Sequence, residues 1–216
     1  MVRQKTRSAR RAVHRFRSTI STRTALFRYI TAAFVMIVMV HVAIERSQVN
    51  LYYADLLTVI ADGESNGNYN AYFGNAGNSQ IMFTSMTVKE VLEWQEHFTD
   101  SGQPSNAVGK YQFIRSTLRE LIRDMNISSR ALFDATLQDR LAIQLIERRG
   151  AAEYVRGGIS REEFAHNLSK EWAALPQVTG SNPEASYYDG DGLNRSRVRI
   201  DQILNAIDSL RSGSRA

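Results

Sequence analysis

Apolar residues recur at helical spacing through most of the chain beyond residue 50. The first such segment runs from Leu51 to Ala61, with its apolar side chains on one face, and we predict that it ends at Asp62-Gly63, just before Glu64. Thr87 and Glu90 have the spacing of a capping box and predict the start of a second helix. The same reasoning predicts helices over residues 87–97, 116–125, 133–148, 160–175 and 195–210.

The segment that follows Glu64 has a different pattern. Residues 65–78 are rich in Gly and Asn and carry the aromatic side chains of Tyr69, Tyr72 and Phe73. Gly and Asn favour turns because they tolerate left-handed backbone conformations. We therefore predict a mainly helical (α+β) domain of two lobes, with a small irregular or β-rich lobe next to Glu64.

An apolar run of another kind precedes this domain. Residues 29–44 hold no charged side chain and are bounded by Arg28 and Glu45. A helix needs about 20 apolar residues to cross a bilayer, so this run is short, and a buried core helix is the alternative. Val42–Arg46 has few of the small residues that a signal-peptide cleavage site requires, which favours an uncleaved signal anchor.

The charge of the chain is distributed unevenly. Residues 1–28 hold nine Lys or Arg and no Asp or Glu, which leaves 18 basic and 22 acidic residues for the rest. A basic arm before an apolar run stays in the cytoplasm by the positive-inside rule, and this explains its charge without nucleic acid. The predicted parts are a basic cytoplasmic arm (1–28), a transmembrane signal anchor at the bacterial inner membrane (29–46) and a periplasmic domain (47–216).

Composition excludes several kinds of chemistry. The chain has no cysteine, so it has no disulfide and no thiol nucleophile. It also lacks a phosphate-binding glycine loop and a nucleophilic serine elbow. Its four histidines are scattered, so we expect no metal site and no cofactor.

Glu64 is the main candidate for chemistry. A carboxyl at the end of an apolar helix face is partly desolvated, which favours the protonated form that a general acid needs. A solvated carboxylate at a helix end is the alternative. A second candidate is the run from Gly109 to Gln112, where the glycine lets the backbone approach a ligand while Tyr111 and Gln112 offer a ring face and an amide.

Several short motifs follow one another along the chain. They are Ile60-Ala61, Glu64-Ser65, Gly109-Lys110-Tyr111-Gln112, Gln138-Asp139, Glu147-Arg148-Arg149-Gly150 and Trp172-Ala173-Ala174-Leu175-Pro176. In their order and spacing, these motifs resemble those of the lambda-phage lysozyme family, within the lysozyme-like peptidoglycan lytic transglycosylases. The resemblance covers roughly residues 50–205.

The resemblance implies a lysozyme-like fold and cleavage of the bond between N-acetylmuramic acid and N-acetylglucosamine. It implies that Glu64 is the catalytic acid. The residues that it places against the glycan strand are Ser65, Tyr72, Gly109, Tyr111, Gln112, Tyr187 and Tyr188.

The sequence also bears on the reaction type. A hydrolysing glycosidase ordinarily uses two carboxylates, yet residues 65–89 contain no Asp or Glu. We therefore predict a lytic transglycosylase that forms a 1,6-anhydro product with Glu64 alone. A hydrolytic muramidase with a distant acid such as Asp189 or Asp191 is one alternative, and a catalytically weak wall-binding assembly factor is another. Phage lysis, virion entry and bacterial wall remodelling all use this chemistry.

Overall fold

A computed structural model describes residues 27–42 and 51–213 of the chain. The chain divides into two compact units, Met1–Val49 and Asn50–Ala216. In the first unit, helix α1 spans residues 27–42 and exposes large apolar side chains, including 75% of the surface of Tyr29 and 67% of that of Ile37.

Helix α1 bears on the predicted membrane anchor. It has 16 residues, fewer than the roughly 20 that a bilayer requires. Among the described residues, no helix is both long and apolar enough to cross a membrane. The structure therefore does not support the transmembrane helix that we predicted over residues 29–46. Residues 43–46, and residues 1–26 of the basic arm, lie outside the described part of the chain.

The second unit is mainly helical, as the sequence predicts. A 3₁₀-helix at Phe83–Ser85 precedes α3. Its α-helices are α2 (Ala54–Ser65), α3 (Val88–Asp100), α4 (Arg115–Asp124), α5 (Ala135–Arg148), α6 (Ala151–Val155), α7 (Arg161–Ser169) and α8 (Ile200–Gly213). Within residues 51–213, β structure consists of isolated bridges, such as those that Val108 makes with Tyr72 and Phe113. The lobe beside α2 is thus irregular.

Helix α2 lies at the centre of the core. Its buried face, which includes Leu56 and Ile60, packs most extensively against α8, and it also contacts α5. The apolar face of α8 contributes Ile203, Ile207 and Leu210, each fully buried. Burial of large aliphatic side chains supplies most of the driving force for folding, and protein interiors are closely packed. The last turn of α2 is therefore held in place by the core beneath it.

Several helix ends differ from the prediction. The helix predicted over residues 160–175 is α7, which ends at Ser169, so that Trp172 and Leu175 lie in the segment after it. Helix α2 continues through Glu64 to Ser65, because Gly63 has no side chain to clash with the segment packed against it. Asn66 then ends the helix in a left-handed conformation (φ 54°), with its N–H donating to the carbonyl of Ala61. Helix α8 begins at Ile200 rather than near residue 195, since the preceding residues pair with the backbone of Ala174 instead.

The predicted start of α3 is confirmed. The Thr87 hydroxyl accepts a hydrogen bond from the N–H of Glu90, and the Glu90 carboxylate accepts one from the N–H of Thr87. Helix α5 begins after Asp134, whose side chain accepts from the N–H of Leu137. These caps fix the ends of two helices that frame the lobe beside Glu64.

Candidate active site

Glu64 lies in the last turn of α2, with part of its surface still open to a cleft. One carboxyl oxygen, Oε1, accepts a hydrogen bond of 3.0 Å from the N–H of Ala174. Burial raises the pKa of Glu64 from its ordinary 4.5 to about 7, against the opposing effects of the Ala174 N–H and the Arg197 charge. A carboxyl with this pKa can donate a proton at neutral pH and can also take one back.

The close contact between Ala174 and Glu64 depends on Gly63. A Cβ atom at position 63 would lie 2.7 Å from Cγ2 of Val198 and 3.0 Å from Cβ of Ala174. The glycine therefore lets two distant segments pack directly against the helix turn that carries Glu64. Real Cβ atoms essentially never approach another atom as closely as the first distance, and the second is tighter than most Cβ contacts.

The cleft in front of Glu64 has a volume of about 1160 Å³. Tyr72, Tyr111, Gln112 and Tyr188 line it together with Glu64, so four of the seven predicted glycan-binding residues share one surface with the predicted acid. The other three residues lie elsewhere. The residues that do not line this cleft are Ser65, Gly109 and Tyr187.

Ser65 and Gly109 support the cleft wall from behind. The buried hydroxyl of Ser65 donates to the carbonyl of Lys110 over 2.7 Å. Gly109 has a φ of 80°, and a Cβ there would collide with the side chain of Gln138 and come within 3.1 Å of Phe133. The requirement for glycine is thus a close approach to the protein itself. The exposed ring of Tyr187 packs edge-on against Tyr188.

Tyr111 is a buried wall residue whose hydroxyl is already engaged. It is 1% exposed, and its hydroxyl donates to Asp139 over 2.7 Å. The Tyr69 hydroxyl donates to the same carboxylate over 2.9 Å. The carbonyl of Tyr111 accepts from the indole N–H of Trp172 over 3.3 Å. Asp139 and Trp172 therefore fix this wall in place.

The lobe on the other side of the cleft is held by a cluster of aromatic rings. The Tyr72 ring lies 5.4 Å from that of Trp94 and 5.5 Å from that of Phe98, and Phe83 lies beneath them. Edge-to-face contacts of this kind stabilise a small lobe that lacks a sheet. One edge of Tyr72 is left in the cleft.

Three other carboxylates line the cleft, those of Glu96, Asp100 and Glu171, and two of them have basic partners. Glu171 accepts from Arg149 over 2.6 Å and is 14% exposed, while Glu96 pairs with Arg115 over 2.9 Å. Asp191 accepts from the N–H groups of Leu193 and Asn194 in its own turn, and it does not line the cleft. Asp189 does not line it either.

Sequence reasoning missed several of these residues. Ala174 contributes only a backbone N–H, which no side-chain pattern reveals. Arg197 is one of many arginines in the sequence, and its proximity to Glu64 arises from the packing of α8 on α2. The glycine at position 63 was the available signal, because a glycine inside a helix is unfavourable unless packing requires it.

The mainly helical fold and the buried carboxyl at its cleft are compatible with the lysozyme-like enzyme that the sequence predicts. The family model of Endolysin matches residues 54–190, and the chain belongs to this family. No curated protein and no solved structure matches the chain. The predicted family relationship is therefore confirmed, and peptidoglycan is the substrate.

We expect Gly63→Ala to impair both packing and catalysis. The added methyl group must push Ala174 and Val198 away, so the N–H donor of Ala174 moves from Glu64. We expect a loss of about 1–2 kcal/mol in the free energy of unfolding, because overpacking outweighs the better helix propensity of alanine. Activity should fall by about tenfold or more, because catalysis is sensitive to small misplacements. Urea unfolding and a peptidoglycan turbidity assay measure the two effects.

Gly77→Ala is the matched control, because a Cβ at that position meets only the side chain of Asn75, at 4.0 Å. Equal stability and activity in both variants would contradict the role of Gly63.

The raised pKa of Glu64 also predicts how stability depends on pH. The folded chain keeps this proton up to about pH 7, whereas the unfolded chain loses it near 4.5. The folded state therefore binds more protons in this window, and its free energy of unfolding falls as the pH rises through it. The fall attributable to Glu64 is on the order of 3 kcal/mol at most.

Glu64→Gln keeps the oxygen that accepts from Ala174 and has no proton to lose. Relative to the native chain, this variant should therefore gain stability between about pH 4 and about pH 8. Urea unfolding of both proteins at the two pH values gives the difference. A stability difference that is the same at both pH values would contradict the raised pKa.

Proposed function

We propose that the protein is a peptidoglycan lytic transglycosylase in which Glu64 serves first as the acid and then as the base. The observation that carries the proposal is the placement of the Glu64 carboxyl at the cleft, where burial raises its pKa to about 7. The substrate bond would be the β-1,4 bond between N-acetylmuramic acid and N-acetylglucosamine.

The state of the neighbouring carboxylates supports this reaction type. Hydrolysis by the usual routes requires a second carboxylate, either as nucleophile or to activate water. Glu171 and Glu96 are each bound to an arginine, Asp100 lines the cleft at the end of α3, and the acids Asp189 and Asp191 lie away from the cleft lining. Because two of the three other carboxyls in the cleft are bound to arginine, this arrangement supports an internal nucleophile rather than a water molecule activated by a second carboxylate.

The proposed steps conserve every proton. Glu64 donates its proton to the glycosidic oxygen, and the bond between that oxygen and C1 of the muramic acid breaks. The 6-hydroxyl of the same muramic acid then attacks C1, and the Glu64 carboxylate takes the hydroxyl proton. The products are a 1,6-anhydro end and a free N-acetylglucosamine hydroxyl, and Glu64 is protonated again.

The charge of the cleft fits an anionic polymer. Six basic and four acidic side chains line it, although residues 29–216 carry more acids than bases. Peptide-bearing glycan strands carry carboxylates, and a cleft of opposite charge favours their association. The proposed contacts to the strand come from Tyr72, Tyr111, Gln112 and Tyr188, which share the cleft with Glu64.

We expect digestion of purified sacculi to release muropeptides with 1,6-anhydro ends, which mass spectrometry identifies by the loss of one water relative to reducing ends. Glu64→Gln should reduce this release by at least about 10²-fold while glycan binding persists, because it removes the proton and keeps the shape. Muropeptides with ordinary reducing ends would instead identify a hydrolytic muramidase. Undiminished cleavage by Glu64→Gln would remove Glu64 from the mechanism, and binding without any cleavage by the native chain would identify a wall-binding factor.

The location of the enzyme is a further proposal that rests on the sequence. The basic residues of 1–28 and the apolar run over 29–44 support attachment to the inner membrane with the catalytic domain in the periplasm. Such an attachment would confine cleavage to wall close to the membrane, which suits local opening of the wall.

Fractionation of cells that carry a C-terminal alkaline phosphatase fusion tests this location. We expect an active fusion in the membrane fraction, because this reporter folds only outside the cytoplasm. Val38→Arg, in the middle of the apolar run, should release the fusion from the membrane, since a charge at the centre of a span is unfavourable. Recovery of the native fusion in the soluble cytoplasmic fraction would contradict the proposal.

A further inference from the structure

Arg197 lies beyond the residues that the family model matches, which end at 190. It belongs to the segment between the turn at Asp191 and the start of α8 at Ile200. Its side chain is exposed and lines the same cleft as Glu64. None of the motifs that carry the family resemblance contains this arginine.

A closed ring of contacts connects Arg197 to Glu64. The N–H of Ala174 donates to Glu64, and the carbonyl of Ala174 accepts from the N–H of Arg197 over 2.9 Å. The same carbonyl accepts from the N–H of Val198 over 3.1 Å. The guanidinium Nη1 of Arg197 then donates to the carbonyl of Gly63, the residue before Glu64, over 3.4 Å.

The two roles of Arg197 in this ring are separable. Its backbone N–H fixes the Ala174 peptide, while its side chain places a positive charge beside the helix turn that carries Glu64. Val198, the next residue, is 7% exposed and anchors the segment in the core. The position of the charge is therefore fixed by backbone and core contacts rather than by the side chain alone.

Several other charged groups near the cleft are engaged elsewhere, while Asp100 and Arg119 line it. On the segment that carries Ala174, Glu171 is bound to Arg149, and Lys170 donates to Asn167. On the wall that carries Tyr111, the tyrosine hydroxyl is bound to Asp139. Arg195 also lines the cleft. Among the charged side chains that the structure describes, Arg197 is the one whose charge acts on Glu64, and it favours the ionised form.

We propose that Arg197 is a positioning residue for the catalytic carboxyl, which closes the contact ring around Glu64 and supplies the charge that stabilises its carboxylate form. The catalytic consequence rests on the proposed transglycosylase reaction, in which Glu64 must persist as a carboxylate until the 6-hydroxyl attacks. Burial alone would favour the neutral acid and disfavour that intermediate state. The cation offsets this bias without occupying the place of a second carboxylate.

Arg197→Gln tests the charge while it keeps the backbone N–H and a side-chain donor. In the full chain, the ¹³C signal of the Glu64 carboxyl, assigned by its loss in Glu64→Gln, should titrate at a pH higher by about half a unit. The alkaline limb of kcat/KM should move in the same direction, because the acid form survives to higher pH. We expect kcat to fall by about threefold, the factor to which half a pH unit corresponds, and this fall should exceed any change in KM that the loss of one of the six basic side chains in the cleft causes.

Two further variants serve as controls. Arg197→Lys retains the charge and should stay closer to the native titration than Arg197→Gln does. Arg199→Gln removes a nearby arginine that pairs with Asp201 at the surface and does not line the cleft, so it should leave the Glu64 titration and kcat unchanged. Thermal unfolding of each variant shows that the fold is intact.

The results separate this proposal from the proposed function. A Glu64 titration that does not move in Arg197→Gln overturns the role of Arg197, whatever the reaction type. A rise in KM with unchanged kcat and titration also overturns it, because Arg197 would then bind glycan rather than influence Glu64. Reducing-end products from the native chain would contradict the transglycosylase reaction, whereas the titration needs no substrate and still decides the effect of the charge.

Discussion

The hydrogen bond from the Ala174 N–H to Glu64 is the contact on which the active site depends. It joins the end of α2 to a segment 110 residues further along the chain. It forms because Gly63 leaves room for Ala174 and Val198, and because the α2–α8 interface brings Val198 to the same place. Disrupting this packing, or placing a side chain at position 63, would move the N–H donor and expose the carboxyl of Glu64 to water. The stability of the core and the geometry of the acid are thus set by the same contacts.

The wall that faces Glu64 follows a similar rule. Tyr111 and Gln112 lie at the cleft because Gly109 turns the chain against Gln138, whose amide oxygen accepts from the N–H of Lys110 over 2.8 Å. Asp139, the next residue on α5, binds the Tyr111 hydroxyl. Two adjacent polar residues of one helix therefore hold a loop of irregular backbone. A buried polar group in such a place is stabilising only when its hydrogen bonds are satisfied, as they are here.

The sequence was sufficient for most of the helices and for the irregular lobe, and it singled out Glu64 as a candidate, because these leave local signals. Periodicity predicted α3 and α5, and the Thr87 cap defined the start of one of them. The contributions of Ala174 and Arg197 leave no such signal, since a backbone N–H is common to almost every residue and a lone arginine is ordinarily a surface residue. The predicted end of α2 was wrong because Gly63 was interpreted as a local helix breaker, whereas tertiary packing keeps this residue helical. The predicted membrane span was not supported, because no helix in the described part of the chain is long and apolar enough to cross a membrane.

A single carboxyl that works twice needs a particular balance of forces. Enzymes with two catalytic carboxyls separate their pKa values, so that one stays protonated and the other ionised. Under the proposed reaction Glu64 must be protonated in the first step and ionised in the second. A very low pKa would block the first step, and a very high pKa would block the second. Burial raises its pKa, while the Ala174 N–H and Arg197 oppose the rise, and the result is a pKa of about 7. Both opposing groups reach Glu64 from segments that only the folded chain brings together. The intermediate pKa is therefore a property of the tertiary structure, and the identity of residue 64 alone does not determine it.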